Sequence, residues 1–89
     1  GDHTPVVVDV RHEGEWRSGH LPAAIHLPLG HLIDHLSELP KDRPLITQCQ
    51  SGTRSAIAAS LLRRAGFEDV RNLVGGYAAW ELAGLPIAR

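Results

Sequence analysis

The segment Pro44-Leu45-Ile46-Thr47-Gln48-Cys49-Gln50-Ser51-Gly52-Thr53-Arg54 holds the only cysteine of the 89-residue sequence. Residues 44–48 are short and apolar with a β-branched centre, which predicts a buried strand. Residues 55–65 are rich in alanine and leucine and are followed by Gly66, which predicts a helix that ends at this glycine. The cysteine is therefore expected on a tight turn between the carboxyl end of a strand and the N-terminus of a helix.

This predicted position favours an anionic sulfur nucleophile. The first amides of a helix have no partner within the helix and can bind an anion, and the positive end of the helix dipole favours a thiolate over a thiol. Arg54 lies close enough in the sequence to add a full positive charge. Free cysteines are more often buried and behave as small hydrophobic residues. The strand–Cys–Gly–Arg–helix pattern nevertheless favours a reactive Cys49.

Composition and charge exclude several classes of function. Nine basic and ten acidic residues give a formal net charge of −1, and no block of like charge suggests nucleic acid or an anionic membrane as a partner. No run approaches the roughly 18 apolar residues of a membrane span, and no secretory signal pattern is present. A single cysteine excludes a disulfide framework and a multi-thiolate zinc site, and it is typical of a reducing compartment, so a cytoplasmic protein is expected.

Predicted strands and helices alternate along the chain. The strands are expected at residues 6–10, 23–28, 44–48 and 69–73, and the helical segments at residues 13–18, 29–39, 55–65 and 77–83. The inner stripe of the third helical segment is predicted to consist of Ile57, Ala58, Leu61, Leu62 and Ala65, and Trp80 is expected to face inward from the last. This alternation predicts an α/β fold with a parallel sheet and helices on both faces. Ligands of such sheets bind beyond the carboxyl ends of the strands, where Cys49 is expected.

Four segments, in a fixed order and spacing, carry a family resemblance. They are Asp9-Val10-Arg11, Glu15-Trp16 followed by Gly19-His20-Leu21-Pro22-Ala23-Ala24, the cysteine loop, and Asn72-Leu73-Val74-Gly75-Gly76-Tyr77-Ala78-Ala79-Trp80. Through them the chain resembles the rhodanese family of sulfurtransferases over nearly its whole length. The resemblance implies a three-layer α/β/α domain with a mostly parallel central sheet. The Pro22-Ala23-Ala24 turn has alanine where glycine is common in the family, and this is interpreted as a minor variation.

The resemblance also implies an activity. The cysteine would take a sulfane sulfur from a donor such as thiosulfate or glutathione persulfide, become a persulfide, and pass the sulfur to a thiol, sulfite or cyanide. Cys49 would be the nucleophile and Arg54 its electrostatic support, with no cofactor and no metal. The substrate-binding residues would be Gln50, Ser51, Gly52, Thr53 and Ser55.

The resemblance further bears on the limits of the domain. The 89 residues are expected to form one domain. The family commonly has a strand and a helix ahead of the Asp-Val-Arg segment, whereas this sequence begins at Gly1-Asp2-His3-Thr4-Pro5. We therefore expect a domain cut from a longer protein, with these two elements missing or supplied by neighbouring sequence. The Ser55-Ala56 continuation and the ending at residues 75–86 look most like rhodanese domains fused to persulfide dioxygenases, so fusion to or docking on a sulfur-oxidising enzyme domain is expected.

Two rival functions stay open. Cysteine phosphatases also use a cysteine loop that ends in arginine, but their loops carry five residues between the two, which wrap a tetrahedral oxyanion. Four residues separate Cys49 from Arg54, which suits a single sulfur atom better. The second rival is a non-catalytic rhodanese-like docking or regulatory module. Inactive members typically lack the cysteine, and this chain has it.

Polar residues outside the cysteine loop have mainly structural interpretations. Three charged residues near the end of the first strand are expected to form a buried ion pair, namely Asp9, Arg11 and Glu15. His20 is expected to bond locally and hold its turn. His31 and His35 have the i, i+4 spacing of a metal clamp, but no third ligand is evident from spacing, so a metal site is not expected.

Overall fold

The structure, a computed structural model, describes residues 4–89. The opening Gly1-Asp2-His3, on which the expectation of a cut domain partly rests, lies outside the described residues. Four strands and three α-helices alternate along the rest of the chain: β1 (Val6–Asp9), α1 (Glu13–Ser18), β2 (Ile25–His26), β3 (Leu45–Gln48), α2 (Thr53–Arg64), β4 (Val70–Asn72) and α3 (Gly76–Leu82). Two 3-10 helices, Leu29–His31 and Ile33–Glu38, lie between β2 and β3.

The four strands form one parallel sheet in the order β2-β1-β3-β4. Val6 is opposite Leu45 and Leu45 is opposite Val70, so the apolar residues of three strands lie side by side on one face. Parallel strands that are covered by helices are hydrophobic along most of their length, and β1 is the strand that fits this pattern best, whereas β4 at the edge of the sheet has only one apolar residue, Val70. The α/β fold and parallel sheet that the sequence predicts are therefore confirmed.

The main core lies between this face of the sheet and α2. It contains 13 buried residues, among which Val8, Leu32, Leu45, Ala58 and Leu62 are completely buried. Thr47 also faces α2, because its hydroxyl donates a hydrogen bond to the Ser55 carbonyl at 2.8 Å. On the opposite face, Trp80 of α3 and the Leu21-Pro22 turn line an apolar cleft over β1 and β3. The core thus fixes the beginning of α2 against the carboxyl end of β3.

The segment 29–39 is not the continuous helix that its apolar spacing predicts. It forms two short 3-10 helices, and His35 inside the second has φ −126°, which no helix accommodates. Ile33, which the pattern places on the buried stripe, is 55% exposed, whereas Leu32 and Leu39 are buried. The prediction was wrong because the 3-10 turns bring a different subset of the apolar residues to the core.

Three further details differ from expectation. In α2, Ile57 is 50% exposed, whereas Ala59, which was not predicted to face the core, is buried. The predicted inner stripe was therefore wrong at Ile57. In α3, Trp80 faces the sheet as predicted, since it lines the cleft over β1 and β3, but it is only half-buried, whereas Tyr77 is buried. Ala23 has φ 63°, in the left-handed region that residues with a side chain rarely adopt. The backbone at this alanine is therefore strained, which the interpretation as a minor variation did not include.

Candidate active site

Cys49 directly follows β3 and lies under the first turn of α2. The backbone reverses at Gly52, whose φ of 112° is natural only for glycine, and α2 begins at the next residue. The side chain of Cys49 is 1% exposed. The strand–turn–helix arrangement that the sequence predicts around the cysteine is confirmed.

The sulfur of Cys49 lies among hydrogen-bond donors from the loop. The amide of Gly52 donates to Sγ at 3.1 Å and the amide of Ser55 at 3.4 Å, and the Ser55 hydroxyl lies 3.3 Å from Sγ. Burial raises the pKa of the Cys49 thiol, but the hydrogen bonds from the Ser55 hydroxyl and from the amides of Ser55, Gly52 and Ser51 outweigh it. The pKa therefore lies below its ordinary value of 9.0. This surrounding favours the thiolate, which is the nucleophilic form.

The loop is held in place by the start of α3. The amide of Tyr77 donates to the Cys49 carbonyl at 2.8 Å, and the amide of Ala78 donates to the Gln50 carbonyl at 3.0 Å. Gly76 has φ 58°, and a Cβ on it would collide with the carbonyl groups of Cys49 and Gln50. The Gly75-Gly76 pair therefore allows α3 to approach the cysteine loop closely enough to bond its carbonyls.

Arg54 is bound to a carboxylate at the edge of the site. Its guanidinium donates to both carboxylate oxygens of Glu15, at 2.7 and 2.9 Å, and both side chains are about 30% exposed, Arg54 at 29% and Glu15 at 31%. The bidentate bond to Arg54 is the main cause that lowers the pKa of Glu15 from 4.5 to about 2, and the same bond raises the pKa of Arg54. The positive charge of Arg54 is thus already paired with the negative charge of Glu15.

Arg11 forms the buried ion pair that the sequence predicts, but without Glu15. Its guanidinium bonds both carboxylate oxygens of Asp9 at 2.8 to 3.1 Å, and both side chains are at most 2% exposed. It also donates to the Gly19 carbonyl at 2.7 Å and to Oε1 of Gln50 at 3.3 Å, and it lies over the Tyr77 ring. The expectation that Glu15 joins this pair was wrong, because Glu15 bonds Arg54 instead.

Asn72, at the end of β4, also belongs to this site, although no role was predicted for its side chain. Its Oδ1 accepts a hydrogen bond from the Ser55 hydroxyl at 2.5 Å, and its Nδ2 donates to the Gly52 carbonyl at 3.2 Å. The signal for it was available, since Asn72 ends the strand beside β3 and parallel strands end at one edge of the sheet.

Two loop residues and three histidines complete the set of residues for which the sequence predicts a role. Ser51 and Thr53 are exposed, and only the amide of Ser51 contributes to the sulfur environment. His20 bonds the Trp16 carbonyl at 2.9 Å, so its local structural role is confirmed. His31 and His35 form an edge-to-face ring pair at 6.4 Å. Within residues 4–89, no group of three or more potential ligands could hold a metal ion.

No helix in the described part of the chain is both long and apolar enough to cross a membrane. The three α-helices contain 6, 12 and 7 residues, compared with the roughly 20 apolar residues that a membrane-spanning helix requires.

The sequence and the fold are similar to proteins of one family. Residues 1–83 match the rhodanese-like domain. A sulfurtransferase of Allochromatium vinosum is 45% identical over 83 residues, which is 92% of this chain and 77% of that protein. The thiosulfate sulfurtransferase GlpE of Pseudoalteromonas translucida is 37% identical over 78 residues, or 88% of this chain and 74% of that protein. Two other relatives are longer, and the chain spans 36% and 59% of their lengths.

A solved structure is similar in fold as well as in sequence. The rhodanese-like domain of the Alr3790 protein from Anabaena superposes with a TM-score of 0.89 and 34% sequence identity, covering 100% of this chain and 85% of that one. The family resemblance of the four segments is therefore confirmed, and the chain belongs to the rhodanese-like domain family.

Proposed function

We propose that this domain is a sulfurtransferase that carries a sulfane sulfur as a persulfide on Cys49. The observation that supports this proposal most directly is the set of hydrogen-bond donors around Sγ of Cys49. Two backbone amides and one hydroxyl lie within 3.4 Å of Sγ, and the pKa of Cys49 is lowered below its ordinary value. A thiolate in such a cradle can attack a sulfur–sulfur bond at neutral pH, because the thiolate is the attacking species.

In the first half of the reaction, Cys49 receives the sulfane sulfur and becomes a persulfide. With thiosulfate as the donor, the Cys49 thiolate attacks the outer, sulfane sulfur. A new bond forms between Sγ and this sulfur, the original sulfur–sulfur bond breaks, and sulfite leaves with the electron pair of that bond. With glutathione persulfide as the donor, glutathione thiolate leaves in the same way. The negative charge of the product lies on the outer sulfur of the Cys49 persulfide.

In the second half of the reaction, the outer sulfur of the Cys49 persulfide is transferred to an acceptor. An acceptor such as cyanide, sulfite or a thiolate attacks the outer sulfur, and the Cys49 thiolate leaves with the electron pair of the broken bond. The cradle around Sγ assists this step, because its hydrogen bonds stabilise the thiolate as a leaving group. The amides and side chains of residues 50–53, together with the backbone amide of Ser55, would bind the outer sulfur and the donor.

Arg54 would support the site through its charge while bonded to Glu15. This pairing bears on the phosphatase alternative, in which the arginine of the loop has to bind the phosphate oxyanion. The guanidinium of Arg54 already donates to both oxygens of Glu15, so a phosphate would have to displace a bidentate carboxylate. Sulfur transfer does not require that displacement, and we therefore favour it.

We also infer the setting in which the domain works. A free nucleophilic cysteine persists in a reducing compartment, which favours the cytoplasm. Fusion to or docking on a sulfur-oxidising enzyme domain would place a persulfide donor or a sulfur acceptor beside Cys49.

The experiment compares three reactions of the purified domain. Incubation with thiosulfate is followed by intact-mass spectrometry, and the sulfur-transfer rate to cyanide and the hydrolysis of an aryl phosphate are measured in parallel. We expect a mass increase of roughly 32 Da, for one sulfur atom, and thiocyanate formation without phosphate release. Cys49→Ser should lose both sulfur signals, whereas Ser60→Ala, which removes an exposed hydroxyl from α2, should keep them. Transfer that persists in Cys49→Ser, or phosphate release alone, would contradict the proposal.

A further inference from the structure

The Ser55 hydroxyl has one proton and two neighbours that compete for it. Its oxygen lies 2.5 Å from Oδ1 of Asn72 and 3.3 Å from Sγ of Cys49. Ser55 is completely buried, so water does not compete with these two partners. A hydroxyl donates only one hydrogen bond at a time. The position of this proton therefore decides whether the sulfur is faced by a donor or by a lone pair.

The orientation of the Asn72 amide is fixed by a third group. Nδ2 of Asn72 lies 3.2 Å from the Gly52 carbonyl, which can only accept a hydrogen bond. The amide nitrogen must therefore face Gly52, and Oδ1 must face Ser55. Since Oδ1 can only accept, the short contact with Ser55 requires the hydroxyl proton to point toward Asn72. In this state an oxygen lone pair of Ser55 faces Sγ and can accept the S–H of the neutral thiol.

We propose that Asn72 is a positioning residue that competes with the Cys49 sulfur for the hydroxyl proton of Ser55. When Cys49 ionises, the hydroxyl turns and donates to the anionic sulfur, and Oδ1 of Asn72 loses its donor. The lost hydrogen bond opposes ionisation, so Asn72 weakens the support that Ser55 gives to the thiolate. The bond between Nδ2 and Gly52 simultaneously holds the loop whose amide faces the sulfur.

The same competition has a consequence for sulfur transfer, and this part rests on the proposed function. In a Cys49 persulfide the negative charge lies on the outer sulfur, and Sγ is a neutral bridging atom. Sγ then needs no strong donor, and the Ser55 proton returns to Asn72. When the acceptor removes the outer sulfur, the charge returns to Sγ and the hydroxyl turns back. The hydroxyl thus follows the charge through both half-reactions without any change in the backbone.

The test measures the pH dependence of Cys49 alkylation by iodoacetamide, which reports the pKa of the only thiol in the chain. Asn72→Ala removes the competing acceptor and should lower this pKa by about half a unit, while Asn72→Asp, which holds the Ser55 proton more strongly and adds a negative charge, should raise it by about one unit. Ser55→Ala should raise the pKa because the sulfur loses a donor. Ser60→Ala serves as the matched control and should leave it unchanged.

The decisive comparison repeats the Asn72 variants in the Ser55→Ala background. If Asn72 acts through the hydroxyl, Asn72→Ala no longer lowers the Cys49 pKa there, and any change that is left comes from the lost bond between Nδ2 and the Gly52 carbonyl. Asn72→Asp keeps only that loss and the smaller direct repulsion between charges. Equal effects in both backgrounds, or no effect in either, would overturn the proposal. Thermal unfolding followed by circular dichroism shows which variants are folded, and the nearly isosteric Asn72→Asp carries the test should Asn72→Ala not fold.

This experiment is independent of the sulfur-transfer assay. Alkylation needs neither a sulfur donor nor an acceptor, so a failure of the proposed function leaves the pKa comparison intact. A domain that forms no persulfide with thiosulfate but shows background-dependent pKa values would retain the Asn72–Ser55 competition and lose the sulfurtransferase proposal. The converse result would retain the sulfurtransferase proposal alone.

Discussion

Replacing Glu15 with glutamine removes the negative charge that holds Arg54. Glu15 is in α1 and Arg54 is in the first turn of α2, so their bidentate bond joins two helices through residues that are 39 positions apart in the sequence. A glutamine at position 15 keeps one oxygen acceptor but presents an NH₂ group where the second carboxylate oxygen had been. Glu15→Gln should therefore lower the free energy of unfolding and release Arg54 from its fixed orientation.

The magnitude follows from the pKa of Glu15, which is lowered from 4.5 to about 2. The difference between these two pKa values corresponds to roughly 3 kcal/mol of interaction with the ionised carboxylate. Since the Glu15 side chain is 31% exposed, solvent screening and the retained glutamine oxygen reduce the expected loss to about 1–2 kcal/mol at pH 7.

The pH dependence gives a second, sharper expectation. The carboxyl pKa is lower in the folded state, so the unfolded chain binds the proton more tightly. The contribution of Glu15 is therefore fully present above pH 4.5 and is lost as the pH falls toward 2. Urea unfolding of the two proteins at pH 7 and at pH 3 should show a stability difference that falls by more than half at the lower pH.

Glu13→Gln is the matched control for this prediction. Glu13 also pairs with an arginine, Arg17, but the two side chains are 67% and 74% exposed. Its loss should change the free energy of unfolding by no more than about 0.5 kcal/mol. A Glu15→Gln effect as small as that of Glu13→Gln at pH 7, or an effect equal at pH 7 and pH 3, would refute the assignment of a stabilising charge pair at the edge of the site.

Three further substitutions have expected outcomes. Ala23→Gly should raise the free energy of unfolding by up to about 1 kcal/mol in urea titration, because it relieves the left-handed φ of 63°; a loss of stability would contradict the strain. Gly76→Ala should lower it by at least about 2 kcal/mol, because the added Cβ collides with the Cys49 carbonyl; an unchanged urea midpoint would refute this close approach. Arg54→Ala should slow sulfur transfer to cyanide and raise the Cys49 pKa in alkylation by less than about one unit, since the charge it removes is shared with Glu15; an unchanged pKa would remove Arg54 from the electrostatics of the site.

The elements that position Cys49 could be predicted because their signals are local. A β-branched run before the cysteine, an alanine- and leucine-rich run after it, and a closing Gly66 are each readable within a few residues. The structure has β3 and α2 within two residues of these expected boundaries. The catalytic interpretation of Cys49 rested on this local arrangement together with the family resemblance.

The partners of the site residues could not be predicted, because they depend on contacts between distant segments. Glu15 is much nearer in the sequence to Asp9 and Arg11 than to Arg54, yet the fold pairs it with Arg54. Asn72 is 17 residues from Ser55 and is brought to it only by the pairing of β4 with β3. The prediction of one helix over residues 29–39 was wrong for a different reason. The leucine spacing of this segment fits an α-helix and short 3-10 turns equally well.

The central claim is that Cys49 accepts a sulfane sulfur, and intact-mass spectrometry after incubation with thiosulfate tests it most directly. The domain contains a single cysteine, so an added sulfur has only one thiol to occupy. We expect a product heavier by roughly 32 Da that returns to the original mass when cyanide is added. An unchanged mass with thiosulfate and with glutathione persulfide, in a folded protein whose Cys49 still reacts with iodoacetamide, would contradict the account.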